Sequence, residues 1–372
     1  MAKVKCNDSY HYANMDQKIP LGLSYDDVLL VPCYSEVNSR QDVDLTTQIS
    51  PRVTLKLPLI SINMTDVTGI EMAIELGKLG GIGFLPRFVS PEEEADMVYK
   101  VKKSGVAVGA AVGCRNGAME RAEMSVKAGA DIITLDVAHA AMRKAIETTR
   151  ELKRRFGKSV DVISGVVATF EGTCDLFKAG ADTVRIGVGP GTICVTRIET
   201  GVGIPQITAV LEGAKAAKKF RRRILCDGGT KNSGDIVKGL AAGASAVIAG
   251  SQFAGCDEAP GELIEIDGKK YKQYNASTSL EEKKEHVKNI NGTGKNYLKH
   301  IEGVKSVVPY KGPVKPIIER MAANMRSGFS YCGARNIQEL WKRAKFIQIS
   351  PQGLKESGAH DVLVKEDGWH KK

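Results

Sequence analysis

Three stretches of this chain repeat one pattern. They are Lys127–Asp136 (KAGADIITLD), Lys178–Gly187 (KAGADTVRIG) and Ala241–Gly250 (AAGASAVIAG). In each, the end of a helix meets a glycine suited to a left-handed C-cap, and a β-branched run follows. Eight such apolar runs occur in all. They are Pro58–Met64, Gly81–Leu85, Val106–Gly113, Asp131–Ala138, Asp161–Val167, Thr183–Gly189, Arg223–Gly229 and Ala246–Gly250. The runs are continuous rather than alternating, as strands covered on both faces should be. Amphipathic stretches such as Pro91–Lys103 and Gly117–Ala128 lie between them. One strand–helix unit repeated eight times predicts an α/β protein built as a (β/α)8 TIM barrel, with residues 1–372 as a single catalytic domain. An open doubly wound sheet is the alternative. It calls for a glycine-rich dinucleotide fingerprint after the first strand, and the first strand here ends in NMTDVTG.

Two segments break the rhythm. Leu23–Asp44 reads as an arm before the barrel. After the eighth run, residues 259–309 form a polar insertion rich in Lys, Glu, Asn, Gly and Ser. A long structureless insertion at the catalytic end of a barrel is expected to act as a flap.

Composition narrows the function classes. No apolar run reaches the ~18 residues of a membrane helix. The polar N-terminus lacks the apolar core of a signal peptide, so the expectation is a cytoplasmic protein without membrane contact. The eight cysteines are scattered and form no CxxC pair, which indicates neither a zinc site nor a disulfide framework. The net charge of +10 fits a solvated surface or attraction of anions. The densest basic cluster (Lys215, Lys218, Lys219, Arg221, Arg222 and Arg223) reads as a helix C-terminus, where cations are favourable. It lacks the interleaved aromatics of a single-strand binder, so nucleic acid is not the expected partner.

Barrel chemistry sits where the strands end. The sixth run leads into Gly189-Pro190-Gly191-Thr192-Ile193-Cys194-Val195-Thr196-Arg197. Its glycines permit an unusual backbone path around a thiol, the best soft nucleophile among side chains. Such a loop can also aim carbonyls at a cation. After the seventh run come Asp227-Gly228-Gly229, and after the eighth Gly250-Ser251. Glycines in these places are the usual phosphate cradle of barrels, with plain turns as the bland reading. Asp227, an acceptor, suits a ribose diol. Asp136 after the fourth run is either a structural cap or a contact for a second ligand.

These residues resemble the IMP dehydrogenase and GMP reductase family. The resemblance is carried by LSYDDVLLVP (Leu23–Pro32), GGIGF (Gly80–Phe84), GVGPGTICVTRIETGVGIPQ (Gly187–Gln206), CDGGTKNSGDIVKGLAAGASAVIAGS (Cys226–Ser251) and SPQGLKESGAHDV (Ser350–Val362). It implies that Cys194 attacks C2 of a purine nucleoside monophosphate, with Thr196 beside it and Glu302 against the base. Thr192, Gly228, Gly229, Gly250, Ser251 and Tyr274 would surround the phosphate, and Asp227 would hold the ribose. Asp136, Gly187 and Gly189 would lie on the dinucleotide side. The carbonyls of Gly189, Gly191 and Cys194 resemble a potassium site, completed by Glu356, Ser357 and Gly358 of a neighbouring subunit in a homotetramer. The family's CBS module has no counterpart, because only about twenty residues separate Leu85 from Val106.

The resemblance implies two activities. A dehydrogenase would oxidise IMP to XMP with NAD. A reductase would convert GMP to IMP and ammonia with NADPH. The arm, the Ser350–Val362 tail and the length from Tyr274 to Glu302 favour the dehydrogenase. Against that pattern, the flap reads Gly294-Lys295-Asn296-Tyr297 and has no arginine to activate water. Asn275-Ala276-Ser277-Thr278 replaces the base-contacting stretch, Met64-Thr65-Asp66-Val67-Thr68 replaces MDTVT, and Val166 stands where the nicotinamide-side asparagine belongs. Thr196 and Glu302 are then the expected water-activating relay. A regulatory nucleotide binder without turnover is the reading from a different class.

Overall fold

The computed structural model describes residues 19–280 and 300–362. All eight apolar runs form parallel strands. They are β1 (Leu59–Ser61), β2 (Ile82–Leu85), β3 (Val108–Val112), β4 (Ile132–Asp136), β5 (Asp161–Val167), β6 (Thr183–Ile186), β7 (Arg223–Asp227) and β8 (Ala246–Ala249). β8 pairs back onto β1, Val247 opposite Leu59, and closes the barrel. The outer helices are α1 (Ile70–Lys78), α2 (Pro91–Lys103), α3 (Ala118–Lys127), α4 (Arg143–Phe156), α5 (Phe170–Lys178), α6 (Gln206–Phe220), α7 (Ser233–Ala241) and α8 (Val314–Tyr331). Their starts follow local chemistry. Ser90, Thr169 and Asn232 cap α2, α5 and α7 by accepting a backbone N–H from the first turn. α8 packs against α7 and α1 and completes the ring.

The barrel interior is a dry core of Ile60, Ile82, Phe84, Ile132, Ile163, Leu225 and Ile248. A short hairpin, Thr47–Gln48 paired with Thr54–Leu55, plugs its floor with Ile49, Val53 and Leu55. The plug is fastened to strand starts. Thr183 Oγ1 donates to the Ile49 carbonyl at 2.6 Å, and Arg52 pairs with Asp161 at 2.9 Å. With the N-terminal end filled, the opposite mouth is left to receive a ligand. The arm is anchored by Val28–Leu30, which pairs antiparallel with Phe346–Gln348 near the other end of the chain.

The insertion after β8 is not structureless. Leu263–Ile266, Lys269–Gln273 and Val307–Pro309 form a three-stranded antiparallel sheet. Its first turn holds Asp267 at φ +51° and Gly268 at φ +73°, the left-handed pair of an Asp-Gly hairpin turn. The buried Lys272 ammonium ties this sheet to the barrel by donating to the carbonyls of Cys256, Asp257 and Ala259. Lys295 and Tyr297 lie outside the described residues.

Candidate active site

At the C-terminal mouth the strand ends surround a cavity of ≈ 210 Å³. Cys194, half-buried, enters it from the loop after β6. That loop is held from across the chain. The Val195 amide donates to the Glu302 carbonyl at 3.0 Å and the Val304 amide to the Ile193 carbonyl at 3.3 Å. The return limb of the flap is thereby zipped onto the cysteine loop. This brings the Glu302 carboxylate to Thr196, whose Oγ1 donates to Oε2 at 2.8 Å. The Cys194 sulfur lies 3.1 Å from the same hydroxyl. A hydroxyl has one proton. With that proton on Glu302, the thiol donates to Thr196, and the three groups form a directed relay from sulfur to carboxylate.

The same cavity is lined by a row of alternating charges. Asp227, at the end of β7, is 6% exposed and takes both Nε (2.8 Å) and Nη2 (2.7 Å) of Arg185. Arg185 rises inside the barrel on β6 and is 2% exposed. Its Nη1 reaches toward Asp136 at 3.6 Å and Thr134 Oγ1 at 3.3 Å. Arg87 follows β2, lies over the Phe88 ring and donates to Asp136 at 3.1 Å. Burial pushes the Asp227 carboxyl up from its ordinary value, with Arg185 opposing and Asp136 adding to the rise. Burial acts the same way on Asp136. There the Arg87 and Arg185 guanidiniums and the Asn63 side chain outweigh it and hold the carboxyl low.

The third wall is made of glycines and hydroxyls. Gly228 and Gly229 sit at φ +84° and +82°, open to glycine and strained for other residues. Thr192 Oγ1 donates to Ser251 Oγ at 3.3 Å beside Gly250. A Cβ on Gly250 would lie 2.6 Å from the Tyr274 hydroxyl, so that phenol is seated directly on the glycine. Burial holds Tyr274 well above its ordinary pKa, and it stays a donor. Its position comes from Asp66 after β1, which accepts the Asn275 amide at 2.7 Å and the Gln273 side chain at 3.4 Å.

The expected site residues therefore converge. Cys194, Thr196, Thr192, Asp227, Gly228, Gly229, Gly250, Ser251, Tyr274, Asp136, Gly187, Gly189 and Gly191 all line one cavity. Glu302 reaches it through Thr196. Glu356, Ser357 and Gly358 do not line it. They lie, exposed, at the end of the helix Pro351–Glu356 and just beyond. Sequence reasoning passed over Arg185, Arg87, Asn63 and the anchoring role of Asp66. The signal for Arg185 was a charge inside an otherwise apolar strand, since a fully buried arginine needs partners.

Residues 22–360 match the family model described as IMP dehydrogenase / GMP reductase domain. The chain is 37% identical to inosine-5'-monophosphate dehydrogenase of Cryptosporidium parvum, over 94% of this chain and 98% of that protein. It is 32% identical to GMP reductase of Leishmania donovani, over 92% and 98%. The latter alignment spans 484 positions, more than the 372 residues here, so that relative carries residues without counterpart in this chain. Among solved structures, a cysteine-to-alanine variant of GMP reductase from Trypanosoma brucei in complex with guanosine 5'-monophosphate superimposes with a TM-score of 0.87. It is 29% identical, and the match covers 93% of this chain and 99% of that one. With a closed eightfold barrel, a cysteine loop at its mouth and a match over nearly its whole length, this chain belongs to the IMP dehydrogenase / GMP reductase family.

Proposed function

We propose that this chain is an NAD-dependent IMP dehydrogenase acting through Cys194, with the whole chain as one catalytic unit. Its family is enzymatic and oxidoreductive, works on purine nucleoside monophosphates and uses a nicotinamide cofactor. The observation that carries the proposal is the Cys194–Thr196–Glu302 relay at a cavity that the Asp227 and Asp136 carboxylates also line.

In this reading Asp227 accepts the ribose hydroxyls of IMP. The phosphate rests among Thr192, Gly228, Gly229, Gly250, Ser251 and Tyr274. The Cys194 sulfur bonds to C2 while its proton passes to Thr196 and Glu302. Asp136, Gly187 and Gly189 would hold NAD, which would supply the hydride acceptor for C2, so that a thioimidate would remain on sulfur. The relay passes the thiol's proton on to solvent. Water then adds to C2, gives one proton to the emptied relay and leaves the other on the purine ring nitrogen. The carbon–sulfur bond breaks, XMP departs and the thiol regains its proton. Splitting one displacement into two steps is the advantage of a covalent route, and a positioned acid–base contributes about 10²–10⁴-fold.

A potassium ion fits the oxygen-donor character of the cysteine loop, where the Cys194 amide closes a turn onto the Gly191 carbonyl at 3.1 Å. Gly189, Gly191 and Cys194 would supply one half of the site. Glu356, Ser357 and Gly358 of a neighbour would supply the other, within a homotetramer. The likeness to the GMP reductase structure keeps a second reading open, with NADPH and GMP. Mixing the protein with IMP plus NAD, and separately with GMP plus NADPH, and following nicotinamide absorbance decides between them. NADH formation is the expected result. NADPH consumption with GMP and no NADH formation overturns the dehydrogenase assignment, and silence in both mixtures overturns turnover altogether.

A further inference from the structure

We infer that Arg185 is a positioning residue that joins the nucleotide and dinucleotide subsites by holding the Asp227 and Asp136 carboxylates on one guanidinium. The inference rests on the reading of Asp227 as the nucleotide-side acceptor and Asp136 as the dinucleotide-side acceptor.

Two edges of the guanidinium face the two acids. Nε and Nη2 lock Asp227 at 2.8 and 2.7 Å, and Nη1 stands 3.6 Å from Asp136. Arg185 is 2% exposed, and its Nη1 also donates to Thr134 Oγ1 at 3.3 Å. The guanidinium is therefore fixed inside the barrel rather than sampling solvent. Two carboxylates brought together in a largely buried site oppose each other's ionisation. A diol donates to carboxylate oxygens, so each subsite works best when its acid is charged. One arginine between them permits both charges at once. It also makes the subsites share a partner, so the loss of one contact is felt at both. Arg87 does something different. It touches Asp136 from outside and is not placed against Asp227.

The other titratable groups around the pair are Cys226 and Tyr25 on the Asp227 side, and Tyr274 with its neighbour Asp66. Burial holds Cys226 up at about 11 and keeps Tyr25 and Tyr274 protonated, so none of the three titrates near neutral pH. Asp66 is tied to the Asn275 amide and serves the flap.

The sign follows. A carboxylate accepts a diol only when ionised, so binding falls as pH drops through its pKa. Arg185→Gln removes the cation, raises both acids and moves that acid limb to higher pH by about 1–3 units, the usual effect of a close opposite charge. Arg185→Lys keeps the charge and loses the fork. The acid limb should return to the wild-type position while KM rises for both IMP and NAD. IMP binding is measured by calorimetry from pH 5 to 9 alongside kcat/KM for each substrate, so binding is read even if turnover is absent. An unmoved acid limb in a folded Arg185→Gln protein, or a change in only one KM, overturns the inference while leaving the dehydrogenase reading intact. A wild type that binds neither IMP nor GMP refutes both. Should Arg185→Gln fail to fold, Asp136→Asn serves in its place. Removing one acid lowers the other, so the acid limb of IMP binding moves to lower pH. An unmoved limb there also refutes the link.

Discussion

A thiol, a hydroxyl and a carboxylate in a row need not act equally, and their chemistry separates them. Cys194→Ala removes the only atom able to bond to C2 and leaves the phosphate and ribose contacts untouched. The variant should lose turnover and still bind IMP in calorimetry. Retention of more than a trace of NADH formation would refute the covalent role. Glu302→Gln keeps the size of the side chain and its backbone pairing with Val195, but it cannot take a proton from Thr196. The hydride step should survive it better than the water step, since a thiol gives up its proton to solvent far more readily than water does. Stopped-flow mixing with IMP and NAD should give a burst of about one NADH per site. A steady rate lower by about 10²-fold or more should follow, as expected for loss of a general base. A steady rate equal to wild type would mean that another group activates water. The thiol was legible in the sequence from its glycine loop. Its partnership with Glu302 was legible only through family resemblance, because 106 positions separate Thr196 from Glu302 and no local periodicity spans them.

At the scale of elements, apolar continuity marked all eight strands, because a strand covered on both faces has no polar side to display. The same rule concealed what was short or edge-like. The floor hairpin was missed because Thr47–Gln48 and Thr54–Leu55 are two residues each and mostly polar. The insertion read as structureless although Ile266-Asp267-Gly268-Lys269 carries a hairpin turn. Within it, Glu265, Lys269 and Lys270 are exposed positions of regular strands. That sheet braces the wall on which the phosphate is proposed to rest. Asp66 reaches from the end of β1 to the Asn275 amide and fixes Tyr274 against Gly250. Asp66→Ala should leave that amide unpaired, at a cost of about 1–3 kcal/mol, and let Tyr274 drift. KM for IMP is then expected to rise about tenfold with a smaller change in kcat. Steady-state kinetics would contradict this if kcat fell while KM stayed put.

On the scale of the whole molecule, the two ends of the described chain are fastened together and then released. Val28–Leu30 pairs with Phe346–Gln348, and the Ile349 amide donates to the Asp27 carbonyl. Beyond Ile349 the chain turns outward. From Ser350 to Val362 every residue but Gly353 is exposed, including Glu356, Ser357 and Gly358. A capped helix that buries none of its own residues is costly to keep if it serves the barrel alone. It makes sense as a reach toward another copy, and this is the half of the proposed potassium site that a single chain does not bring to Gly189, Gly191 and Cys194. Deleting residues 350–372 removes almost no buried contact of the described chain, so Tm should stay within about 2 °C, as for ordinary surface changes. Activity should fall and cease to respond to potassium, because a cation held by two chains ties turnover to assembly. Light scattering should find the full-length protein as a homotetramer, and a titration of potassium chloride against NADH formation should saturate in that protein alone. A full-length monomer that turns over at full rate, or a truncated protein that still responds to potassium, would place the cation wholly within one chain or nowhere.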